Sequence, residues 1–320
     1  RLVGADMPVQ AAWWLEARRR LPGLAMADAD LAAAFGRFAA GHLPDDADLL
    51  VGWSAATLEA MTPAKAKGMK VIIERGSSHI AHQTDVLSRA YAEIGLPFAD
   101  TSPEMIERET EEYRSANAIA VPSAFAARTF IERGVAEEKL LVNPDGENLA
   151  QFAPQHRDSR DRKPRIVFVG RVGIRKGVPG LIKAFAPLAK QAELHLVGPV
   201  EPAMQNLFAT LPMDSVSLGG AVPADQLPAI YADGDIFCLP SVEEGFPLVL
   251  LQAMASGLPV VTTPESGAED ILTDGREGHI VPSDNAEALT AALAGLCAGE
   301  DFRAQMGAAA RTRVESGWGW

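Results

Sequence analysis

Short strands of branched apolar residues alternate with helices along the chain, and this alternation limits the fold more than any other feature. The strands are predicted at residues 49–53, 70–73, 118–122, 140–142, 165–169, 193–197, 216–218, 235–239 and 260–263. Strand, helix, strand is the βαβ pattern of a parallel sheet, and such sheets bind ligands at the carboxyl ends of their strands. The sequence therefore predicts an α/β protein.

The alternation is interrupted once, by a polar stretch bounded by prolines at residues 153–164. Because 320 residues suit about two domains, we place a boundary there and predict domains at residues 1–155 and 156–320. Residues 9–40 are predicted to be helical, and Ser54 is expected to cap the helix that runs to Met61.

The net charge of −13 comes from 29 basic and 42 acidic residues, which argues against a nucleic-acid partner. Cys238 and Cys297 are predicted to be core residues of a reducing compartment, and no apolar run is long enough to span a bilayer. We therefore expect a cytoplasmic location. The tryptophans at residues 13–14 and arginines at residues 18–20 fit either a core helix with a solvated end, the favoured interpretation, or a helix lying on the inner face of a membrane.

Residues 241–282 read as loop, helix, strand and loop. Pro247 suits the first turn of the helix, because its missing N–H group costs nothing there. A helix start beside Gly245 offers unpaired N–H groups to an anion, and the adjacent Glu244 carboxylate could bind hydroxyl groups. Glu243 is expected to be a solvated neighbour. A phosphate seat beside a hydroxyl-binding carboxylate indicates a phosphorylated sugar as ligand.

A second loop, at residues 170–177, joins a strand to a helix expected to reach about Lys190. Its Arg171 offers a planar fork for two phosphate oxygens, and its Lys176 offers a point charge. The glycines have the wrong spacing for the dinucleotide motif G-x-G-x-x-G, and no P-loop motif is present.

His79 follows a predicted strand in a loop of glycine and serine residues. A catalytic and a structural role both stay open for this histidine. His82 lies three positions further on, but a third metal ligand is missing nearby, so no metal is expected.

Several of these motifs together resemble the donor domain of family-4 retaining glycosyltransferases. The resemblance is carried by Gly170-Arg171, Lys176-Gly177, residues 235–241, residues 244–246 and residues 253–261, and it extends over residues 45–315. It implies a GT-B fold, in which two Rossmann-like domains face each other across a cleft. It also implies an enzyme of the hexosyltransferase type that takes a nucleoside diphosphate sugar as co-substrate, without a metal or other cofactor.

The resemblance assigns a role to each matching position. Arg171 and Lys176 would grip the donor diphosphate, Glu244 would bind the donor sugar, and His79 would face the anomeric carbon. Backbone groups would contact the phosphate and the nucleobase, and the remaining donor-site positions are Gly170, Val222, Gly245, Phe246, Pro247 and Leu248.

The sequence departs from the family pattern at Gln252, where a second glutamate often binds the ribose. An amide can still form hydrogen bonds there, but without charge. The glycine-rich loop after the family's first strand is not visible, nor is the full last helix after Trp318. The sugar acceptor, whether glycan, glycolipid or small molecule, is not specified. A binding-only protein and, less favoured, a nicotinamide-dependent oxidoreductase are the alternatives.

Overall fold

The computed structural model describes residues 28–154 and 162–319, which form two compact units. The first unit consists of three segments: the described residues up to Asp85, then Pro97–Pro122, and then Ala126–Asn143. The second holds Val86–Leu96, Ser123–Phe125 and the described residues from Pro144 onward. The predicted boundary at residues 155/156 falls in the stretch outside the described residues and stays a prediction.

Up to Asn143 the chain forms strands and helices in alternation. In chain order they are α1 (Asp28–Ala40), β1 (Leu49–Trp53), α2 (Leu58–Ala66), β2 (Lys70–Glu74), α3 (Ile80–Ala92), α4 (Pro103–Ser115), β3 (Ala118–Val121), α5 (Ala124–Ile131) and β4 (Leu140–Val142). The four strands pair in parallel in the order β1-β2-β3-β4. Alternate residues of β2 and β3, such as Val71, Ile73 and Ile119, are fully buried in the core of this unit. Residues 9–27 of the long predicted helix lie outside the described residues.

The start of α2 corrects the expectation that Ser54 caps this helix. The helix begins at Leu58, and no side chain of the preceding residue caps it. Instead, the Glu112 carboxylate accepts the backbone N–H groups of Thr57 and Leu58, each at 2.8 Å. A buried carboxylate from α4 therefore satisfies the orphan donors that a local serine was expected to satisfy.

The second unit contains a larger parallel sheet. Its elements from residue 162 onward are β5 (Arg165–Val169), α6 (Val178–Phe185), β6 (Glu193–Val197), α7 (Pro202–Leu207), β7 (Val216–Gly220), α8 (Leu227–Ala232), β8 (Ile236–Leu239), α9 (Leu248–Ala255), β9 (Val260–Thr262), β10 (Gly278–Ile280), α10 (Ala286–Ala298) and α11 (Glu300–Glu315). Strands β5 and β8 are almost continuously apolar and buried, as expected of strands covered on both faces. Helix α6 ends at Phe185, earlier than the predicted Lys190, and a 3₁₀ turn follows it.

The strand order β10-β9-β8-β5-β6-β7 creates one reversal of direction in this sheet. From β5 the chain moves outward through β6 and β7, and it then returns to place β8 on the other side of β5. Open α/β sheets bind ligands at such a switch point, outside the carboxyl ends of the strands. The loops that follow β5 and β8 flank this point, and they are the two loops for which the sequence predicts phosphate and sugar contacts.

Candidate functional site

The loop after β5 and the loop after β8 touch each other through their backbones. The N–H group of Val242 donates to the carbonyl oxygen of Arg175 at 3.0 Å. Gly177, immediately before α6, has a φ of +69°, and a Cβ atom there would overlap the carbonyl oxygen of Pro240. Only glycine allows both this left-handed backbone and this close approach. The contact fixes the spacing between the two loops.

Three ion pairs join the charged side chains of these loops, the longest of them between Arg175 Nη2 and Glu244 Oε1 at 3.7 Å. Lys176 pairs with Glu244, and both side chains are largely buried. Arg175 pairs with Glu243, with 2.8 Å between Nε and Oε2. The sequence prediction that Glu243 is a solvated neighbour is wrong, because its side chain is fully buried against Arg175. An adjacent pair of glutamates is therefore held by an adjacent arginine and lysine.

The environment of Lys176 changes its proton affinity. Its pKa is lowered from the usual 10.5 to about 8, chiefly by burial and secondly by the Arg175 guanidinium, while Glu243 acts in the opposite direction. Lys176 is therefore charged at neutral pH, but it loses its proton about two pH units earlier than an exposed lysine would.

This shift predicts an alkaline limit for donor binding. As pH rises through about 8, Lys176 becomes neutral, so we expect kcat/KM for the predicted nucleotide-sugar donor to be level well below pH 8 and to fall above it. Lys176→Arg is the matched variant, since arginine stays protonated throughout this range. A pH profile of kcat/KM measures the effect, and a fall that is identical in the arginine variant would assign it to another group.

Arg171 differs from its neighbours in the same loop. It follows Gly170 at the end of β5 and is exposed. In the part of the chain that the structure describes, its guanidinium forms no hydrogen bond or ion pair. Arg171 can thus bind an anionic ligand without the loss of an existing contact. Lys176, in contrast, would have to weaken its ion pair with Glu244 to bind one.

Helix α9 begins beside this cluster. Its first residue is Leu248, one position later than the sequence suggested, and Pro247 precedes it without a side-chain cap. The Gly245 carbonyl accepts the Ser123 hydroxyl at 2.8 Å, which anchors the approach to the helix. The helix start is therefore fixed in position, with its dipole directed at the loop that carries Glu244.

The aromatic ring of Phe246 is covered by Trp318. The two rings are stacked, with centroids 5.1 Å apart and an interplanar angle of 15°. Phe246 is itself buried, so the stacked tryptophan, which follows α11, braces the loop just before α9. No local sequence pattern predicts this contact, because the two residues lie 72 positions apart.

We expect Trp318→Ala to weaken donor binding by loosening this loop. The lost aromatic pair corresponds to a rise in KM of about 2- to 12-fold, from the 0.5–1.5 kcal/mol typical of such pairs. Trp318→Phe, which keeps a ring in place, should stay near the wild-type value. Steady-state kinetics with the donor varied makes the comparison, and equal effects of both variants would contradict a role for the stacking.

The other predicted donor contacts lie at different places in the same unit. Val222 follows β7, the edge strand, and is half-exposed. Gln252 lies on α9, where its side chain contacts Tyr231 and Glu147. These positions stay predictions as ligand contacts.

His79 lies in the first unit, at the carboxyl end of β2, and is only 4% exposed. Its ring packs edge-on against Tyr113 and Phe130, each with a centroid distance of 5.0 Å. Nδ1 accepts the Ala81 N–H at 3.1 Å, so Nε2 carries the proton of the neutral ring. Burial chiefly, with the nearby Arg133 charge second, lowers the pKa of His79 to about 4. It is a neutral imidazole, and its catalytic role stays a prediction.

The described residues hold neither a metal-binding cluster nor a membrane-spanning helix. Within residues 28–154 and 162–319, no cluster of three or more histidine, cysteine, aspartate or glutamate side chains could hold a metal ion. Over the same residues, no helix has the length and hydropathy needed to cross a membrane. The tryptophans at residues 13–14 and the arginines at residues 18–20 lie outside these ranges. Cys238 is buried as predicted, whereas Cys297 is only partly buried.

Comparison with known proteins identifies the family of this chain. Residues 151–313 match the family described as glycosyl transferases group 1. Sulfoquinovosyl transferase SQD2 of Arabidopsis thaliana is 31% identical over 63% of this chain and 42% of its own length. The chain spans about half the length of the curated relatives it matches.

Solved structures show the same architecture. Sucrose-phosphate synthase from Thermosynechococcus elongatus superposes with a TM-score of 0.75 at 21% identity, over 94% of this chain and 78% of that one. HepE of Anabaena, solved in complex with UDP, gives a TM-score of 0.70 at 18% identity, over 91% of this chain and 78% of that one. The predicted GT-B class, with two Rossmann-like units, is confirmed.

Proposed function

Because the chain belongs to the glycosyl transferases group 1, we propose that it transfers a sugar from a nucleoside diphosphate sugar to a hydroxyl group of an acceptor, with retention of the anomeric configuration. The observation that carries this proposal is the Lys176–Glu244 pair at the switch point of the second sheet. It combines a cation for phosphate and a carboxylate for sugar hydroxyls beside the start of α9.

The reaction requires the anomeric carbon to exchange one oxygen for another. The bond from that carbon to the diphosphate breaks, a bond to the acceptor oxygen forms on the same face, and the acceptor's hydroxyl proton passes to the departing phosphate oxygen. Negative charge develops on the diphosphate as the bond breaks. Arg171, Lys176 and the dipole of α9 would stabilise this charge, and the proposal needs no metal for the purpose.

Donor binding would rearrange the Lys176–Glu244 pair. The two side chains pair with each other, and a diphosphate sugar would offer each a better-matched partner, an anion for Lys176 and a hydroxyl donor for Glu244. Arg175 would remain on Glu243, whose fully buried carboxylate needs a fixed cation. The two glutamates therefore have different tasks, one structural and one for the ligand.

The comparisons support a nucleotide-sugar donor at the level of class. HepE was solved with UDP, and SQD2 is named as a sulfoquinovosyl transferase. Glycans, glycolipids and small hydroxyl compounds are all acceptor candidates, and we propose a cytoplasmic reaction.

The test begins with thermal stability in the presence of UDP, GDP, ADP, CMP and dTDP and their common sugar conjugates. A ligand at about 100 times its Kd adds roughly 2.7 kcal/mol to the free energy of unfolding, which is a clear shift in Tm. The stabilising donor is then offered with a panel of acceptors, and NMR of the product's anomeric proton reads the configuration. An inverted product would contradict retention.

Two other outcomes would redirect the proposal. If NAD or NADP stabilised the protein and no nucleoside diphosphate did so, the result would favour a nicotinamide-dependent oxidoreductase. Tight donor binding without hydrolysis or transfer to any acceptor would indicate a binding-only protein.

A further inference from the structure

Gln252 lies on α9, one helical turn beyond the helix start that is proposed to bind phosphate. It lies four residues after Leu248 on α9, so the two side chains share one face, and this face is open, with Leu248 exposed and Gln252 half-exposed. One helical turn advances about 5.4 Å. A group attached directly to a phosphate at the start of α9 would therefore come within reach of Gln252.

The amide of Gln252 is held in one orientation by two partners distant in sequence. The hydroxyl of the fully buried Tyr231 donates to Oε1 at 2.9 Å. Nε2 in turn donates to Oε2 of Glu147 at 2.7 Å. The N–H groups of the Gln252 amide thus face Glu147. The uncharged Gln252 side chain is in contact with a carboxylate.

Two hydrogen bonds with backbone groups hold Glu147 in place. Its Oε1 accepts the N–H of Asn148 at 2.8 Å, and its own N–H donates to the Trp318 carbonyl at 3.1 Å. Its side chain is half-buried, and among the described residues no cationic side chain pairs with it. A carboxylate oxygen accepts more than one hydrogen bond, so Glu147 keeps acceptor capacity for a ligand's hydroxyl groups.

We propose that Glu147 supplies the carboxylate that binds the ribose of the donor nucleotide, with Gln252 as its oriented partner. The inference rests on the proposed function, because it assumes a nucleoside diphosphate at the start of α9. The ribose is bonded to the phosphate that this helix start would hold. Its two adjacent hydroxyl groups would donate to Glu147, and the charge that position 252 lacks is thereby supplied from the loop after β4.

The test compares nucleoside diphosphates with their 2′,3′-dideoxy analogues, which lack both hydroxyl groups. UDP, GDP and ADP and the matching dideoxy compounds are titrated by calorimetry. Hydrogen bonds to a charged group correspond to about 10- to 150-fold in affinity, so the wild type should prefer the ribose form by at least about tenfold. In Glu147→Gln this preference should shrink toward unity while the affinity for the dideoxy compound stays unchanged.

An exchange of the two side chains provides the stricter test. Gln252→Glu alone places two carboxylates at the 2.7 Å separation of the present hydrogen bond, where both cannot stay ionised, and it should lose the preference. The double variant Glu147→Gln/Gln252→Glu restores one carboxylate and one amide at the same two positions. It should recover the ribose preference and a wild-type Tm.

The matched control is Glu287→Gln, an exposed carboxylate at the start of α10, which should behave as wild type. The inference is overturned if Glu147→Gln keeps the full ribose preference, or if it weakens ribose and dideoxy compounds equally. Failure of the proposed function is distinguished from this, because then the wild type itself would bind none of the diphosphates, and both the function and the inference would be overturned together.

Discussion

Replacement of Lys176 by alanine is expected to slow turnover of the nucleotide-sugar donor by about 10²–10³-fold. Lys176 is the largely buried cation that lies against Glu244 at the switch point of the sheet. Because a buried cation is poorly screened by water, Lys176 would stabilise a departing diphosphate more than a surface lysine could. The measurement is the release of nucleoside diphosphate from whichever donor stabilises the protein.

Two companion variants separate loss of charge from loss of structure. Lys190→Ala removes an exposed lysine of the same unit and should leave turnover unchanged. Arg171→Ala removes a cation that has no partner among the described residues, so it should reduce turnover without lowering Tm. Wild-type turnover in both Arg171→Ala and Lys176→Ala would show that these residues do not hold the leaving group.

Gly177→Ala is expected to lower the free energy of unfolding by about 1–3 kcal/mol, the usual cost of a strained backbone conformation. At a φ of +69° alanine is strained, and its Cβ would overlap the Pro240 carbonyl oxygen. The loops after β5 and β8 would have to separate, so donor turnover should fall together with stability. Chemical denaturation measures the first effect and donor hydrolysis the second.

Gly180 offers a control three residues away. It lies inside α6, where no atom approaches within 4 Å of an added Cβ. Gly180→Ala should therefore raise the free energy of unfolding by about 0.5–1 kcal/mol, as alanine does within a helix. If the two substitutions had the same effect, the backbone contact with Pro240 would not be what constrains this loop.

Much of the fold could be predicted from the sequence, since the patterns that specify it are local. Branched apolar runs predict nine of the ten strands that the described residues form in the two parallel sheets, and the exception is β10, because Gly278–Ile280 is too short to stand out. The loops after β5 and β8 are predicted to bind the ligand, because glycine, arginine, lysine and glutamate residues follow strand ends directly. Parallel pairing then brings such loops to one edge of the sheet.

Ion pairing in the site could not be predicted in the same way. Glu243 and Glu244 are adjacent and chemically alike, yet Glu243 is fully buried against Arg175, whereas Glu244 pairs with Lys176. Nothing local distinguishes them, because the burial of a carboxylate depends on a cation that lies 68 residues away. The same holds for Glu112, which caps α2 from a position 54 residues beyond Leu58.

By itself, then, the sequence determined the alternation of strands and helices and the position of the polar loops at the switch point. Only the tertiary structure decided which carboxylate is structural, which helix start a distant glutamate satisfies, and that Gln252 is joined to Tyr231 and Glu147. The physical reason is the range of the forces involved. Hydrophobic periodicity and turn chemistry act over a few residues, whereas buried hydrogen bonds and charges are satisfied by whichever groups the folded chain brings together.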